Sequence, residues 1–264
     1  MSREPSGDYQ ALDVRSDYSM SPIISRRILV PVDRKSRLAR IWSNEELAKI
    51  APILDGEVVN VSAWQDSDKD GRVYQDYFPS ASSYWTTNFD GVRGSGADNH
   101  GLALDLTGEL PEEFVSRFDV VFNHTTLEHI FDTRSAFSNL SRMSRDVLIV
   151  VVPFSQVQHE TESWGDYWRF TPTCLREMFR SEGFEVIYES ANSARNAAVY
   201  LFFVGARKPE KWVGQIPSHE PITQAGNTIG DVPIHNAVAR VRWVTRRLLR
   251  AAYGRLTPTA NGTA

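Results

Sequence analysis

The chain has 264 residues, of which 41% are hydrophobic and 23% charged, and its formal net charge is −4. These values are ordinary for a globular protein and exclude binding of nucleic acid through the overall charge. The single cysteine, Cys174, cannot form an internal disulfide, which favours a reducing compartment. The longest apolar run, Val147 to Phe154, is too short to span a bilayer. The sequence therefore predicts a cytoplasmic protein with no nucleic acid partner.

Composition divides the chain into five parts. Residues 1–25 are polar, lack a periodic apolar pattern and predict a flexible arm. Residues 26–208 hold the apolar segments of one domain. Proline, glycine and glutamine recur over 209–234, which predicts a linker. Residues 235–258 predict a basic amphipathic helix, and 259–264 form a tail.

The domain opens with a predicted helix that ends near Ile53. Ser43 is a favourable N-cap residue, and Glu46 three positions later completes a capping box. Pro52 lies where the helix is expected to end. The β-branched run Glu57 to Val61 follows and predicts a buried strand.

Strands and helices alternate through the rest of the domain. Six further strands are predicted, over residues 84–89, 101–106, 118–122, 147–152, 184–189 and 197–206. Helices are predicted over Thr133 to Met143 and from Thr171-Pro172 to Gly183. Only a short stretch separates the last two strands, so we expect that pair to be antiparallel. The pattern predicts an α/β fold with a doubly wound, mostly parallel seven-stranded sheet and an antiparallel last strand.

Three segments carry a resemblance to a known family. They are Phe118 to Phe122 with Leu127-Glu128-His129-Ile130, the run Val147 to Phe154 with His159 and Gly165 to Pro172, and Gly183-Phe184-Glu185-Val186. In this order they resemble the class I S-adenosylmethionine-dependent methyltransferases, type 11-like, of a subgroup often found beside sugar and polysaccharide genes. The resemblance covers roughly residues 56–209. It implies a Rossmann-like methyltransferase fold, S-adenosyl-L-methionine as cofactor, and a small-molecule or glycan acceptor.

The same resemblance implies a cofactor-binding set with a degenerate glycine-rich motif. Family members have an acidic residue and then a glycine-rich turn after the first strand, where glycine lets the backbone approach the cofactor. Here Asn60 replaces the acid, and Ser62 and Trp64 replace glycines. The position of the ribose-binding carboxylate falls on Asn88, which loses the charge-assisted hydrogen bonds. The implied set is completed by Asp105 and Leu106, where family members hold the adenine, and by His124.

Two histidines are candidate catalytic residues. His124 follows the fourth strand, at the edge where parallel α/β sheets place ligands, and its ordinary pKa suits proton removal. The alternative is that it only closes a turn with Asn123. His159 opens a second candidate site. For the Glu128-His129 pair, a structural and a functional role are both open.

The segment after His159 is rich in aromatic residues and predicts a substrate-binding wall. Aromatic faces suit the apolar C–H face of a sugar ring. The alternative is a packed lid in which Asp166 pairs with an arginine. The candidate substrate-binding residues are Trp164, Tyr167, Trp168 and Arg169.

Two charged segments have other interpretations. Asp66 to Gly71 has the alternating carboxylates of a calcium loop, but Tyr77 stands where a bidentate glutamate is needed. We therefore predict a solvated acidic turn and no metal site.

Residues 236–256 carry six arginines and no acidic residue, with apolar residues at helical spacing. This pattern is typical of helices that bind the membrane surface, and docking on protein is the alternative. Attachment of the protein to the inner face of the membrane is therefore left open.

Two functions remain open at this point. The first is methyl transfer to a sugar or glycan-linked acceptor. The second is a catalytically inactive protein of the same fold that serves as a binding or scaffolding component, because a fold does not guarantee an activity. A different nucleotide ligand is a weaker third option, since the glycine cluster at Gly91 to Gly96 has no phosphate-loop spacing.

Overall fold

The computed structural model describes residues 37–68, 70–89, 101–192 and 198–222, together with Thr245. The predicted arm over 1–25, the glycine cluster over 91–96 and the rest of the predicted basic helix over 236–256 lie outside these residues. The strands are β1 Gly56–Val61, β2 Ala81–Asn88, β3 Gly101–Ala103, β4 Phe118–His124, β5 Ser144–Ser155, β6 Glu185–Ala191 and β7 Val199–Ala206. The helices are α1 Arg37–Ile50, α2 Thr133–Met143, α3 Pro172–Ser181 and α4 Pro209–Trp212.

The strands form one seven-stranded sheet in the order β3-β2-β1-β4-β5-β7-β6. The first five strands in this order are parallel. β7 lies between β5 and β6 and is antiparallel to both. The fold prediction is therefore confirmed: the chain is a doubly wound, mostly parallel seven-stranded α/β domain with an antiparallel last strand. The third strand, predicted over 101–106, ends at Ala103, and other strand ends also differ from the prediction by a few residues.

Both faces of the sheet are covered by hydrophobic layers. Alternate residues of β5 show this most clearly: Leu148 and Val150 pack on the layer that includes α2 and α3, and Ile149 and Val151 on the layer that includes α1. All four side chains are fully buried. A strand that is apolar on both faces is what a central parallel position requires, because helices exclude water from both sides.

α1 begins earlier than the sequence predicts, so the predicted N-cap at Ser43 is wrong. The helix starts at Arg37, and Ser43 lies in its interior with its hydroxyl donating to the carbonyl oxygen of Arg40 at 2.9 Å. The cause is packing: Ala39, Ser43 and Leu47 follow at a spacing of four residues and are all buried. A helix that starts at Arg37 therefore buries more side-chain surface than one that starts after a cap at Ser43.

The ends of the later helices agree with the sequence. The Thr171 hydroxyl accepts from the backbone N–H of Cys174 at 3.1 Å and caps α3, with Pro172 at the first helical position. Gly183 follows α3 with φ of +77°, a left-handed conformation that glycine adopts without a steric penalty. These two features fix where α3 begins and where the chain turns toward β6.

The predicted linker differs from the structure in the part that is described. Pro209–Trp212 is a short helix, and Trp212 is buried with its indole N–H donating to Asp146 Oδ2 at 3.1 Å. Further along, Ile222 packs against the core, and its backbone N–H donates to the Glu189 carboxylate at 2.6 Å. Residues 209–222 are therefore part of the domain. None of the described helices has the length and hydrophobicity needed to cross a bilayer.

Candidate functional site

The candidate site lies where β1 and β4 meet at the carboxyl edge of the sheet. From β1 the chain moves outward to β2 and β3, and then returns across β1 to β4 and β5. Ligands of doubly wound sheets bind in the crevice at this reversal point. The two strands are joined there by Asn123, whose side-chain amide donates to the Val61 carbonyl oxygen at 3.0 Å.

The loop after β1 has an unusual backbone. Ser62, Trp64 and Asp66 have φ values of +61°, +52° and +52°. The left-handed region costs a non-glycine residue about 1–2 kcal/mol, so three such residues in five positions need strong local support. Ser62 and Trp64 are the positions where the resemblance expects glycine. The backbone therefore follows a path suited to glycine although its side chains are larger.

Asp66 supplies much of that support. Its side chain is buried, and its oxygens accept from Asn60 Nδ2 at 2.8 Å, from the Tyr84 hydroxyl at 2.7 Å and from the Gln75 backbone N–H at 3.2 Å. Burial raises the pKa of Asp66, while these hydrogen bonds oppose the rise. Asn60, which stands where the resemblance expects an acid, is thus paired with a carboxylate six residues further along.

Asn88 holds the other side of the same loop. Its Oδ1 accepts from the Trp64 backbone N–H at 2.6 Å, and its Nδ2 donates to the Trp64 carbonyl oxygen at 3.3 Å. Next to it, the Ala63 N–H donates to the Thr87 carbonyl oxygen at 3.0 Å. The Asn88 amide is therefore engaged by protein backbone. The Trp64 indole itself is 57% exposed and does not fill the interior of the site.

Asp105 and Leu106 form a fixed turn after β3. Asp105 Oδ1 accepts from the backbone N–H and the hydroxyl of Thr107, both at 2.8 Å. Asn139 on α2 donates to the carbonyl oxygens of Leu106 and Gly108, both at 2.9 Å. The Leu106 side chain is buried in the core. Leu106 is therefore a core residue whose carbonyl oxygen is already bonded, and Asp105 is the exposed member of the turn.

His124 is bound through both ring nitrogens. Nε2 lies 2.8 Å from the Ser43 hydroxyl and Nδ1 lies 3.1 Å from the Thr125 hydroxyl. Because Ser43 donates its proton to Arg40, its oxygen is left to accept from Nε2–H. These contacts tie the end of β4 to α1. Of the two predicted catalytic histidines, His124 is the one held by the scaffold.

His159 is placed differently, beside a buried carboxylate. Its Nδ1 lies 3.5 Å from Asp166 Oδ2, and its backbone N–H donates to the same oxygen at 2.8 Å. Arg169 donates to both oxygens of Asp166, each at 2.6 Å. Burial alone would raise the pKa of Asp166, but these hydrogen bonds outweigh it and lower the pKa to about 2. An ionised carboxylate thus faces Nδ1 of His159, whose side chain is 39% exposed.

Trp164 packs against histidines rather than forming part of an open wall. Its ring centroid lies 4.2 Å from that of His129 and 5.3 Å from that of His159. His129 Nδ1 lies 2.7 Å from the Gly165 carbonyl oxygen, which can only accept, so Nδ1 carries the proton. Burial lowers the pKa of His129, although this hydrogen bond opposes the shift. The imidazole rings and Trp164 form one compact layer beneath the loop.

The open aromatic surface, which we call the aromatic wall, consists of Phe131, Tyr167 and Trp168. The ring of Phe131 lies 5.5 Å from that of Tyr167 and 6.2 Å from that of Trp168, and the three side chains are between 38% and 72% exposed. The Trp168 indole N–H donates to the Ile130 and Phe131 carbonyl oxygens at 3.0 and 3.1 Å. Two loops are therefore joined into one surface. Phe131 is a lone aromatic in the sequence, and no motif around it indicates this role.

The acidic turn between β1 and β2 is not solvated as predicted. Asp68 is buried, and its oxygens accept from the Tyr77 hydroxyl at 2.8 Å and from the backbone N–H groups of Asp70 and Arg72 at 2.8 and 2.9 Å. Hydrogen bonds replace solvent because the turn packs on the short segment Tyr74–Tyr77, where Tyr74 is buried and its hydroxyl donates to Asn44 of α1 at 3.3 Å. Within the described residues, no group of three or more His, Cys, Asp or Glu side chains could hold a metal ion.

A second concavity lies at the opposite, amino edge of the sheet. It encloses about 100 Å³, and charged groups that pair with one another line it, including Lys211 with Asp55 at 3.0 Å. Asp146 in the same cleft accepts from the Lys208 backbone N–H at 2.9 Å. Since ligands of this kind of sheet bind at the carboxyl edge, we assign no function to this cleft.

No family model and no curated protein matches the sequence. Solved structures with a related chain path include three methyltransferases. A 1,6-didemethyltoxoflavin-N1-methyltransferase from Burkholderia thailandensis is 17% identical with a TM-score of 0.45, covering 66% of this chain and 79% of its own. The magnesium protoporphyrin IX methyltransferase of Synechocystis PCC 6803 is 10% identical with a TM-score of 0.46, covering 66% and 86%. An S-adenosylmethionine-dependent methyltransferase from Mesorhizobium loti is 11% identical with a TM-score of 0.46, covering 62% and 96%. Similarity at this level assigns no activity to the chain.

Proposed function

We propose that the chain is an S-adenosylmethionine-dependent methyltransferase that acts on a sugar or glycan-linked acceptor. The observation that carries this proposal is the left-handed backbone at Ser62 and Trp64, directly after β1 at the reversal point of the sheet. A protein keeps about 1–3 kcal/mol of strain per residue at such a place when the loop geometry itself has a use. Here the strained conformation would let a ligand approach the backbone of the loop closely.

The residues present fit the cofactor in part. The loop over 62–66 offers the methionine end a fixed backbone path, but the N–H groups of Ala63, Trp64 and Asp66 are already bonded within the protein. The turn at Asp105 and Leu106 offers adenine the exposed Asp105. The ribose side fits less well, because Asn88 is engaged with Trp64. The bound cofactor would supply a methyl group on a sulfonium centre, a good leaving group.

The chain's own residues then need to align the substrate and hold a proton. Alignment is the larger requirement when the leaving group is already good. The aromatic wall offers an apolar face to a sugar ring. His159 can accept a proton from a sugar hydroxyl at Nε2 once Nδ1 carries its own proton toward Asp166, 3.5 Å away; the Gln156 amide nitrogen, 3.3 Å from Nδ1, then has to turn away. A carboxylate in this position helps to keep the imidazole in one orientation.

Transfer of tritiated methyl from S-adenosylmethionine to a panel of sugar nucleotides and methyl pyranosides tests the proposal. We expect turnover by the intact chain and a loss of about 10-fold or more in His159→Ala, which removes the proton acceptor. Glu162→Gln, an exposed change in the same loop, serves as the control and should keep full activity. Folded protein that binds no cofactor and transfers no methyl group would instead favour a binding or scaffolding role.

The basic segment over 236–256 supports a second part of the proposal, attachment to the inner face of the membrane. Six arginines without an acidic residue attract anionic lipid, and Trp243 and Tyr253 are residues that favour the interface. Co-sedimentation with vesicles containing phosphatidylserine tests this. Binding should require the anionic lipid and fall when two of the arginines are changed to glutamine. Equal binding to neutral vesicles would contradict it.

A further inference from the structure

Within the described part of the chain, the Glu128 carboxyl is buried with no hydrogen-bond partner on either oxygen. The residue is 1% exposed and follows β4 by four positions, at the carboxyl edge of the sheet. His129 Nε2 lies 3.8 Å from Oε1, which is too long for a hydrogen bond. A buried polar group without a partner destabilises a fold, so natural proteins retain few of them.

The groups that face this carboxyl do not compensate it. Arg40 approaches from α1, and Arg169 and Asp166 approach from the loop after β5, with His129 alongside. Arg169 is already committed to Asp166 through two hydrogen bonds. Burial raises the pKa of Glu128 to about 8, while its own backbone N–H, which lies near the carboxyl without hydrogen-bond geometry, and the nearby arginines oppose the rise. The carboxyl is thus mostly protonated at neutral pH.

Glu189 is a second buried carboxylate of the domain, and it is fully hydrogen-bonded. It is 3% exposed, nearly as buried as Glu128. Its oxygens accept from Arg176 Nε and Nη2 at 2.8 and 2.5 Å and from the Ile222 backbone N–H at 2.6 Å. Every oxygen of Glu189 is therefore used. Glu128 differs in having none of its oxygens used, although both residues lie beside the core.

The position of Glu128 connects it to the candidate site. Its carbonyl oxygen accepts from the backbone N–H groups of Tyr167 and Trp168 at 2.8 and 3.2 Å, so the residue anchors the loop that carries two rings of the aromatic wall. His129 next to it packs against His159 with ring centroids 4.8 Å apart. Glu128 is therefore joined through its backbone to the loop that carries the aromatic wall, and its carboxyl lies 3.8 Å from the imidazole that packs on His159.

We propose that Glu128 is a substrate-recognition residue whose unpaired carboxyl binds a hydroxyl group of the sugar substrate. The inference rests on the proposed function. Because the carboxyl is enclosed, the hydroxyl reaches it only when the loop over 156–169 shifts. A sugar hydroxyl can both donate to and accept from a carboxyl group, so one hydroxyl satisfies it in either protonation state. A sugar without that hydroxyl leaves the carboxyl unpaired and is bound less well.

The first test compares Glu128→Gln and Glu128→Met with Glu189→Gln by thermal unfolding of the protein without ligand. Removing an unpaired buried carboxyl should raise Tm by about 3 °C in Glu128→Met and leave Glu128→Gln at or above the wild type. Glu189→Gln should lower Tm, since it breaks a paired carboxylate. A lower Tm in both Glu128 variants would show that Glu128 is structural and overturn the inference.

The second test measures transfer of tritiated methyl to methyl pyranosides and binding of S-adenosylhomocysteine. Glu128→Met should raise KM for the sugar by about 10-fold or more, with cofactor binding unchanged. Unchanged KM would overturn the inference. A wild-type protein that binds the cofactor product but methylates no pyranoside would exclude the sugar hydroxyl and leave the proposed methyl transfer standing. Absence of cofactor binding would contradict the proposed function. The Tm values of the Glu128 variants would still show whether the Glu128 carboxyl destabilises the fold.

Discussion

The Asn88 carboxamide is hydrogen-bonded in both directions to the peptide groups of Trp64, accepting from its N–H at 2.6 Å and donating to its carbonyl oxygen at 3.3 Å. One side chain at the end of β2 thereby fixes the backbone of the loop that follows β1. The loop needs this support because Trp64 has φ of +52°. Asn88 and Trp64 thus connect the end of β2 to the loop of the candidate cofactor site.

Asn88→Leu should therefore weaken binding of S-adenosylhomocysteine by about 10-fold or more, because both hydrogen bonds to the Trp64 peptide groups are lost and the loop is no longer held. Asn88→Asp keeps the group that accepts from the N–H but places a carboxylate oxygen near the Trp64 carbonyl oxygen, so it should also weaken binding. Calorimetric titration of each folded variant measures this. Wild-type affinity in Asn88→Leu would show that the Trp64 loop does not contact the ligand.

The left-handed conformation of Ser62 makes opposite predictions for two small substitutions. Ser62→Gly should be neutral or stabilise the protein by about 0.5 kcal/mol, because the relief of strain slightly exceeds the added chain entropy. Ser62→Val should destabilise it by about 2 kcal/mol, since a β-branched residue tolerates positive φ poorly. Urea unfolding gives both values. Equal stability of the two variants would contradict the assigned backbone conformation.

Asp66 should be essential to the fold of the loop. Asp66→Ala leaves the buried donors of Asn60 and Tyr84 without an acceptor and should destabilise the protein by about 3 kcal/mol. Asp76→Ala, which changes an exposed acidic residue nearby, is the matched control and should cost less than about 0.5 kcal/mol. Similar unfolding midpoints for the two variants would show that the network around Asp66 adds nothing.

The Asp166 carboxylate should give the loop a defined acid dependence. Its pKa is lowered from 3.8 to about 2, so its contribution to stability is fully present above the ordinary pKa and is lost as pH falls through the lowered one. Asp166→Asn removes this contribution. The difference in Tm between wild type and Asp166→Asn should therefore be constant near neutral pH and shrink below about pH 4. A difference that persists unchanged in acid would mean that Asp166 is not ionised beside Arg169.

The aromatic wall should affect the sugar substrate and not the fold. Phe131→Ala removes the most exposed of its rings and should change the free energy of unfolding by less than about 0.5 kcal/mol. Its KM for the sugar should rise by about 10-fold, with kcat preserved, because a stacking surface is lost. Val157→Ala, also exposed, is the control. Equal KM values for both variants would place the sugar elsewhere.

The sequence predicts the sheet well because its signals are local. The apolar run in β5, the cap at Thr171 and the glycine at Gly183 each act over a few residues, and the structure has strand and helix ends close to them. Ser43 misled the prediction because its capping pattern competes with burial of a longer helix face, and burial is decided by tertiary contacts.

The site is less predictable because its residues meet only after folding. Asp66 looks like the start of a calcium loop, and its pairing with Asn60 and Tyr84 depends on the chain turning back over β1 and β2. Phe131 is isolated in sequence and becomes part of a surface only when Trp168 joins two loops. The positions of Ser62 and Trp64 could be anticipated only from the family resemblance, since no local rule places serine or tryptophan at positive φ.

The measurement that tests the central claim most directly is calorimetric titration of the intact protein with S-adenosylhomocysteine. The account predicts a dissociation constant of about 100 μM or tighter, which corresponds to about 5.5 kcal/mol or more of binding free energy. Such a value would support a loop over 62–66 that accepts the cofactor although serine and tryptophan stand where the resemblance expects glycine. No heat at millimolar ligand, from protein shown to be folded, would contradict the claim that this carboxyl-edge site binds the cofactor.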